Sequence, residues 1–234
     1  MEITPLIAHA TAALDWLWPP VCARCEGRAE VAATRFCDAC WAGLRPLGRH
    51  DGQGVLAAFA VDSFFLDVLA AGKYRRQRPV IARLARTAAR RVESWLPRGT
   101  PIVPVPLAPD KQRERGFNQA EIFGRELAAR LEAPLIVDAL VRVRGGKAIA
   151  GTSRAERAGR VRGAFQAGSG LDPAREGSLL LVDDLVTTGS TSADCLRALT
   201  SVAPALDVRV VAMGRAFGPR DDAPPITREG LARL

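Results

Sequence analysis

Two carboxylates, Asp183 and Asp184, stand directly before a run of small hydroxylated residues around one glycine, Thr187-Thr188-Gly189-Ser190-Thr191. Small side chains let a backbone approach a phosphate closely. Threonine and serine hydroxyls add donors for its oxygens. Gly189 can take the positive φ that an anion-holding turn needs. A helix that starts here adds unpaired N–H groups and the positive end of its dipole. The two carboxylates are placed to accept hydrogen bonds from ribose hydroxyls. Together these groups suit a sugar phosphate. A Walker loop is excluded, because no Gly-Lys-Ser/Thr follows the glycine.

A second cluster is near the N-terminus. Five cysteines occur, and four form two pairs, Cys22-Ala-Arg-Cys25 and Cys37-Asp-Ala-Cys40, with eleven residues between the pairs. Two such turns can place four thiolates tetrahedrally around one Zn²⁺. A closed four-thiolate site is structural. Arg24 and Arg28 either offset its negative charge or touch a phosphate backbone. Trp16, Trp18 and Trp41 flank the module and form its small core or its packing surface. Cys195 reads as a small buried hydrophobe.

The elements that must position these groups follow from the pattern. Leu179 to Val182 is an apolar run, as expected of a strand buried on both faces. The acid pair should follow it, then the loop, then a helix from about Ser192 to Leu199. In open α/β sheets ligands gather at the carboxyl ends of strands, which is where this loop falls. Val55–Val61, Ile102–Pro106, Leu135–Val137 and Val208–Met213 read as further strands. Asp62 or Ser63 should cap a helix carrying Phe64, Phe65, Val68 and Leu69. Ile81, Leu84, Ala85, Ala88, Val92 and Trp95 keep helical spacing, with Arg83, Arg86 and Arg90 on the opposite face. That face is either a solvated surface or a groove wall for phosphates or single-stranded nucleic acid. Arg113 to Gln119 leads into a helix ending near Leu131. Arg142 to Gly151 reads as a Gly-rich basic loop, and Arg154 to Arg160 as a short polar helix. Strands alternating with helices predict a mainly parallel α/β sheet.

Composition sets the outer bounds. The chain has 234 residues, 48% hydrophobic and 6% aromatic, with a formal net charge of +8. The sequence pI is near 10.0. This suits one α/β domain plus a small module, and a polyanionic partner. The expected division is 1–50 for an N-terminal helix and the Cys₄ module, 51–217 for the α/β domain, and 218–234 for a polar tail. An N-terminal helix is expected over about Ile3 to Leu17. No secretory signal or run of about 18 apolar residues is evident, so a cytoplasmic protein without membrane insertion is expected.

The run from Leu179 to Thr191 closely resembles the phosphoribosyl pyrophosphate motif of type I phosphoribosyltransferases. The whole chain resembles the competence protein F (ComF) family. The marks are the four cysteines, Lys73-Tyr74-Arg75, Pro104-Val105-Pro106, Arg113-Glu-Arg-Gly-Phe-Asn-Gln119, Ser153-Arg-Ala-Glu-Arg157, Arg162-Gly-Ala-Phe165 and the acid-pair loop.

The resemblance implies a type I phosphoribosyltransferase-like fold, a mainly parallel twisted sheet with helices on both faces, and phosphoribosyl pyrophosphate with Mg²⁺ as ligands. It assigns the ribose hydroxyls to Asp183 and Asp184, and the 5′-phosphate to Thr187, Thr188, Gly189, Ser190 and Thr191. The pyrophosphate loop would use backbone groups from Pro104 and Val105 to Leu107. Arg142 to Ile149 would cover the reaction. Lys73, Arg142, Arg144 and Lys147 are the cations available to a departing pyrophosphate, and Asp183 favours the positive sugar. Family members often carry threonine and glutamine where this chain has Gly146 and Ile149, and asparagine where it has Arg160. These positions bear on transfer more than on binding. Three readings stay open: pentosyl transfer, single-stranded-DNA handling by a protein that keeps the ligand pocket, and a sensor without turnover. Single-stranded DNA and other competence proteins are the further partners implied.

Overall fold

The computed structural model describes residues 20–29, 35–48, 54–72, 77–143, 163–174 and 177–217. Several expectations fall outside them: the helix over Ile3 to Leu17, Trp16 and Trp18, Lys73 to Arg76, Arg144 to Arg162 and the tail from Gly218. The chain forms two compact units, Met1–Leu44 and Arg45–Leu234.

The small unit is built on two turns. In the first, Cys22 N–H donates to Gly27 O at 2.7 Å and Glu26 N–H to Cys22 O at 3.0 Å. Val21 and Arg28 bridge across it in antiparallel fashion. In the second, Cys37 precedes the short helix α1, Asp38–Ala42. Ala23 N–H donates to Arg35 O at 2.8 Å and ties the turns together. Phe36 packs edge-on to Trp41, centroids 6.2 Å apart, and both are buried. Trp41 thus belongs to the module's core.

The large unit is a four-stranded sheet. Its strands are β1 (Val55–Ala60), β2 (Ile102–Pro104), β5 (Gly177–Val186) and β6 (Leu206–Arg215), in the order β1-β6-β5-β2. Every pairing is parallel. A separate antiparallel pair joins β3 (Leu140–Arg142) to β4 (Phe165–Ala167). The α/β class and the cysteine module are those expected.

The period of two along each strand sorts the core into two layers. Leu179 and Leu181 of β5, with Val208, Val210 and Ala212 of β6, share one cluster with Cys195, Leu196 and Leu199 of α6 (Ser190–Val202). Leu180, Val182, Val211 and Met213, also buried, alternate with them. That second face is covered by α3 (Arg78–Val92) against β1 and β6, and by α5 (Gln119–Leu131) against β2 and β5. Full burial of each large apolar side chain contributes about 1.5–3 kcal/mol.

The helix readings from periodicity hold where they are described. Asp62 caps α2 (Ser63–Ala71) by accepting from Phe65 N–H at 2.8 Å. Ile81, Leu84, Ala85, Ala88 and Val92 of α3 are all buried. Trp95 lies in the single 3₁₀ turn that follows, half-buried.

Other readings need correction. The Arg113 to Gln119 stretch spans two helices: α4 (Pro109–Arg115) ends at Gly116, and Asn118 caps α5 by accepting from Ala120 N–H. Leu135 to Val137 is no full strand; Leu135 makes one parallel bridge, to Ile102. Arg142 lies on β3, paired with β4, rather than in a loop. Arg45 to Leu47, expected in the zinc module, run along β1: Ala60 N–H donates to Arg45 O and Leu47 N–H to Ala58 O.

Candidate functional site

The acid pair lies on β5, not after it. Parallel pairing with β6 continues through Asp183↔Ala212 to Val186↔Arg215, so the strand ends four residues later than its apolar run. Successive strand side chains leave on opposite faces. Asp183 therefore shares the face of Leu181 and α6, and Asp184 that of Val182 and α5. Asp183 is 8% exposed and Asp184 half-buried. Asp184 N–H donates to Asp183 Oδ1 at 2.9 Å.

Their environments differ in the same way. Burial, and then the charge of Asp184, pushes the Asp183 carboxyl well above its usual range, with Arg142 pulling against them. Burial also pushes Asp184 up, against its hydrogen bond to Asp183 and the charge of Arg115. The opposing charges come from Arg142 on β3 for Asp183 and Arg115 on α4 for Asp184. Burial, the leading cause for both, disfavours their charged forms.

The turn Thr187–Gly189 connects β5 to α6, whose helix starts at Ser190, two residues earlier than expected. Gly189 is the residue before the helix and has φ 74°, ψ 1°. Its carbonyl accepts from Ala193 N–H at 2.8 Å. Thr188 Oγ1 and Ser190 Oγ are 3.0 Å apart. Asp183, Thr187, Thr188, Gly189, Ser190, Thr191 and Ser192 line a cavity of ≈ 30 Å³. That is room for about two to three oxygen-sized atoms. Ser192 is 1% exposed, and its hydroxyl finds no hydrogen-bond partner among the described residues. Sequence reasoning stopped at Thr191, although the hydroxyl run continues.

The turn sits at a switch in topology. After β2 the chain leads to α5, which covers one face, while α6 after β5 covers the other. Adjacent strands whose connections diverge leave a crevice at their carboxyl ends, the usual ligand position. Pro104 and Val105 border it, but their backbone is committed to the fold. Proline has no N–H; Val105 N–H donates to Val182 O and its carbonyl accepts from Asn118 Nδ2, each at 2.9 Å. They buttress the crevice rather than offer it N–H donors. Beside them, Pro104, Pro106, Gln112, Asn118, Glu121 and Val137 line a second concavity of ≈ 300 Å³.

Three further groups were not singled out from the sequence. Asp194 of α6, 3% exposed, accepts from Gly163, Ala164 and Phe165 N–H. Arg215, 1% exposed, ends β6 beside Val186 on the face of Asp184. Arg115, read as part of a motif without a role, donates to Gln119 Oε1 at 2.9 Å, and its charge acts against the rise of Asp184. None is marked by periodicity or by a cluster of like residues. Lys73 and Arg144, named as cations of the site, lie outside the described residues. On α3, Arg86 meets Glu126 at 3.7 Å and Arg91 donates to Leu47 O at 2.7 Å, so two of that helix's cations serve the fold.

In the small unit the four cysteine sulfurs lie within 4.8 Å of one another. Cys22 and Cys40 Sγ are 3.7 Å apart, Cys25 and Cys37 Sγ 3.6 Å. A tetrahedral Zn–S bond near 2.3 Å implies S···S edges of about 3.8 Å, so the donor set fits Zn²⁺. Burial, then the neighbouring sulfurs, push Cys40 up to about 12. Against its own burial, backbone N–H groups of Cys25, Cys37 and Arg24 hold Cys22 down to about 6. Four thiolates this close need a cation to coexist.

Residues 13–51 match the double zinc ribbon domain family. Over 90 residues the chain is 33% identical to Competence protein F of Haemophilus influenzae, covering 38% of this chain and 39% of that protein. The chain thus aligns with about two fifths of that relative's length. Similar solved structures include the adenine phosphoribosyltransferase of Leishmania tarentolae, at 12% identity and TM-score 0.40, covering 71% of this chain and 93% of that one. The orotate phosphoribosyltransferase of Aeropyrum pernix matches at 17% identity and TM-score 0.32, covering 74% and 85%. The likeness to competence protein F and the four-cysteine zinc module are those read from the sequence. Among the described residues no helix is long and apolar enough to cross a membrane.

Proposed function

We propose that the large unit binds phosphoribosyl pyrophosphate at the carboxyl end of β5 and belongs functionally with the phosphoribosyltransferases, in a role connected with competence. One observation carries this reading. The cavity at the start of α6 is walled by the hydroxyl-rich turn, with Gly189 in the left-handed conformation and Asp183 at its edge. The turn would take the 5′-phosphate through Thr187 to Thr191, with the Ser192 hydroxyl as an added donor. Asp183 and Asp184 would accept from the ribose hydroxyls.

The paired carboxylates and a pyrophosphoryl group call for a hard dication, and oxygen donors suit Mg²⁺. Bound there, it would neutralise charge building on the pyrophosphate. The chain's own groups do the rest. Arg142 supplies a guanidinium on the Asp183 face, and Asp183 favours positive charge at the anomeric carbon. In the small unit, the zinc ribbon's thiolates would hold a structural Zn²⁺.

The test is calorimetric titration with phosphoribosyl pyrophosphate and Mg²⁺. Asp183→Asn combined with Asp184→Asn should weaken binding at least about tenfold, because two hydrogen bonds to charged acceptors are lost. Unchanged affinity refutes the site. Pyrophosphate release with a panel of nucleobases then separates transfer from binding without turnover.

A further inference from the structure

Arg142 is separated by 52 positions from Asp194, yet the two are joined by a continuous set of bonds. The Asp194 carboxylate projects from α6, one turn beyond the phosphate-binding turn, and is 3% exposed. Its Oδ1 accepts from Gly163 N–H at 2.8 Å and from Arg197 Nη2 at 2.9 Å. Its Oδ2 accepts from Ala164 N–H at 2.8 Å and Phe165 N–H at 3.1 Å. Three successive backbone N–H groups converging on one anion form a nest, and Gly163 supplies the positive φ, 75°, that such a turn requires. The anion here is the chain's own.

Phe165 opens β4, and β4 pairs with β3 so that Phe165 stands opposite Arg142. The Arg142 guanidinium carbon lies 5.2 Å from the Phe165 ring centroid. Val143 N–H donates to Ala164 O at 2.9 Å, closing the pair at the same end. Arg142 therefore takes its position from a strand pair pinned at Gly163 to Phe165, and the pin is rooted in the helix that begins at the phosphate-binding turn.

We propose that Asp194 is a positioning residue: it fixes β4 on α6, and through the β3–β4 register it sets the Arg142 guanidinium over the Asp183 face, where that cation meets the pyrophosphoryl end of the ligand. This rests on the phosphoribosyl pyrophosphate reading above. Asp194 touches no ligand itself. It makes the geometry of the 5′-phosphate turn and that of the pyrophosphate cation a single rigid relation.

The experiment compares two ligands on the full-length, zinc-loaded chain. Ribose 5-phosphate reports the turn and the acid pair; phosphoribosyl pyrophosphate with Mg²⁺ reports Arg142 as well. Asp194→Asn puts an NH₂ group against N–H donors. It is expected to leave ribose 5-phosphate affinity unchanged and to lower the ratio of the two affinities about tenfold, the worth of one charge-assisted contact. Arg142→Ala should lower the ratio equally, and the double variant no further. Asp194→Glu, which keeps the charge but displaces it, should lower the ratio too, and serves if the asparagine variant does not fold. Arg197→Ala removes only the outer bond and should leave the ratio intact. An unchanged ratio, or an equal loss for both ligands, overturns the inference alone. A wild-type chain that binds neither ligand overturns the site reading and the inference with it.

Discussion

Gly189→Ala tests the proposed phosphate turn most directly. At φ 74° a Cβ meets the following carbonyl, which costs about 1–2 kcal/mol. An unfolded chain with alanine is less flexible, which offsets about 0.4–1 kcal/mol of that loss. If the turn keeps its shape, stability should fall by about 1 kcal/mol, a drop of about 2–4 °C for a unit of this size. If the turn instead relaxes, the ligand must restore the left-handed residue on binding. The full 1–2 kcal/mol then appears in affinity, as a loss of about 5- to 30-fold. The strain must appear in one measurement or be divided between them. Thermal unfolding and phosphoribosyl pyrophosphate titration on the same preparation read both. A melting temperature within about 1 °C of the parent and an affinity within about twofold would together refute the claim that this turn depends on a left-handed glycine.

Three other outcomes follow from the packing and the charges. A Cβ at Gly214 would fall 2.2 Å from Phe65 Cζ, so Gly214→Ala should cost about 1–3 kcal/mol by overpacking, with partial recovery on adding Phe65→Leu; equal melting temperatures would contradict it. The raised Asp183 carboxyl binds its proton more tightly folded than unfolded, so its burial costs stability progressively as pH rises above the unfolded value. Asp183→Asn should therefore raise the ligand-free melting temperature at neutral pH, the gain shrinking towards pH 4, while ligand affinity falls; a gain that grows on acidification would contradict it. Elemental analysis should find about one zinc per chain, and chelation should abolish the near-ultraviolet signal of Trp41 packed on Phe36; a metal-free chain with that signal intact would remove the metal claim.

How much was legible depended on how local each feature is. Asp62 caps α2 through a bond three residues long, so its type and place sufficed. The buried face of α3 recurs every three or four residues, and the cysteines announce their geometry by spacing. The end of β5 was misplaced because a carboxylate inside a strand looks like a strand terminus. What keeps it in the strand is pairing with β6, about 30 positions away. Arg142 reads as a loop residue because a three-residue strand has no periodicity, and its partner Phe165 is 23 positions on.

The sequence alone determined the chemistry on offer: two adjacent carboxylates, a hydroxyl-rich turn around a glycine, and four thiolates at ligand spacing. These are runs of a few residues, and their function depends on neighbours along the chain. The tertiary structure decided how those groups face one another. It sent Asp183 and Asp184 to opposite faces, occupied the Val105 backbone and made Asp194 the anchor of β4. Those outcomes depend on strand register and helix placement, which are set by packing the whole core at once and leave no mark in any short stretch of residues.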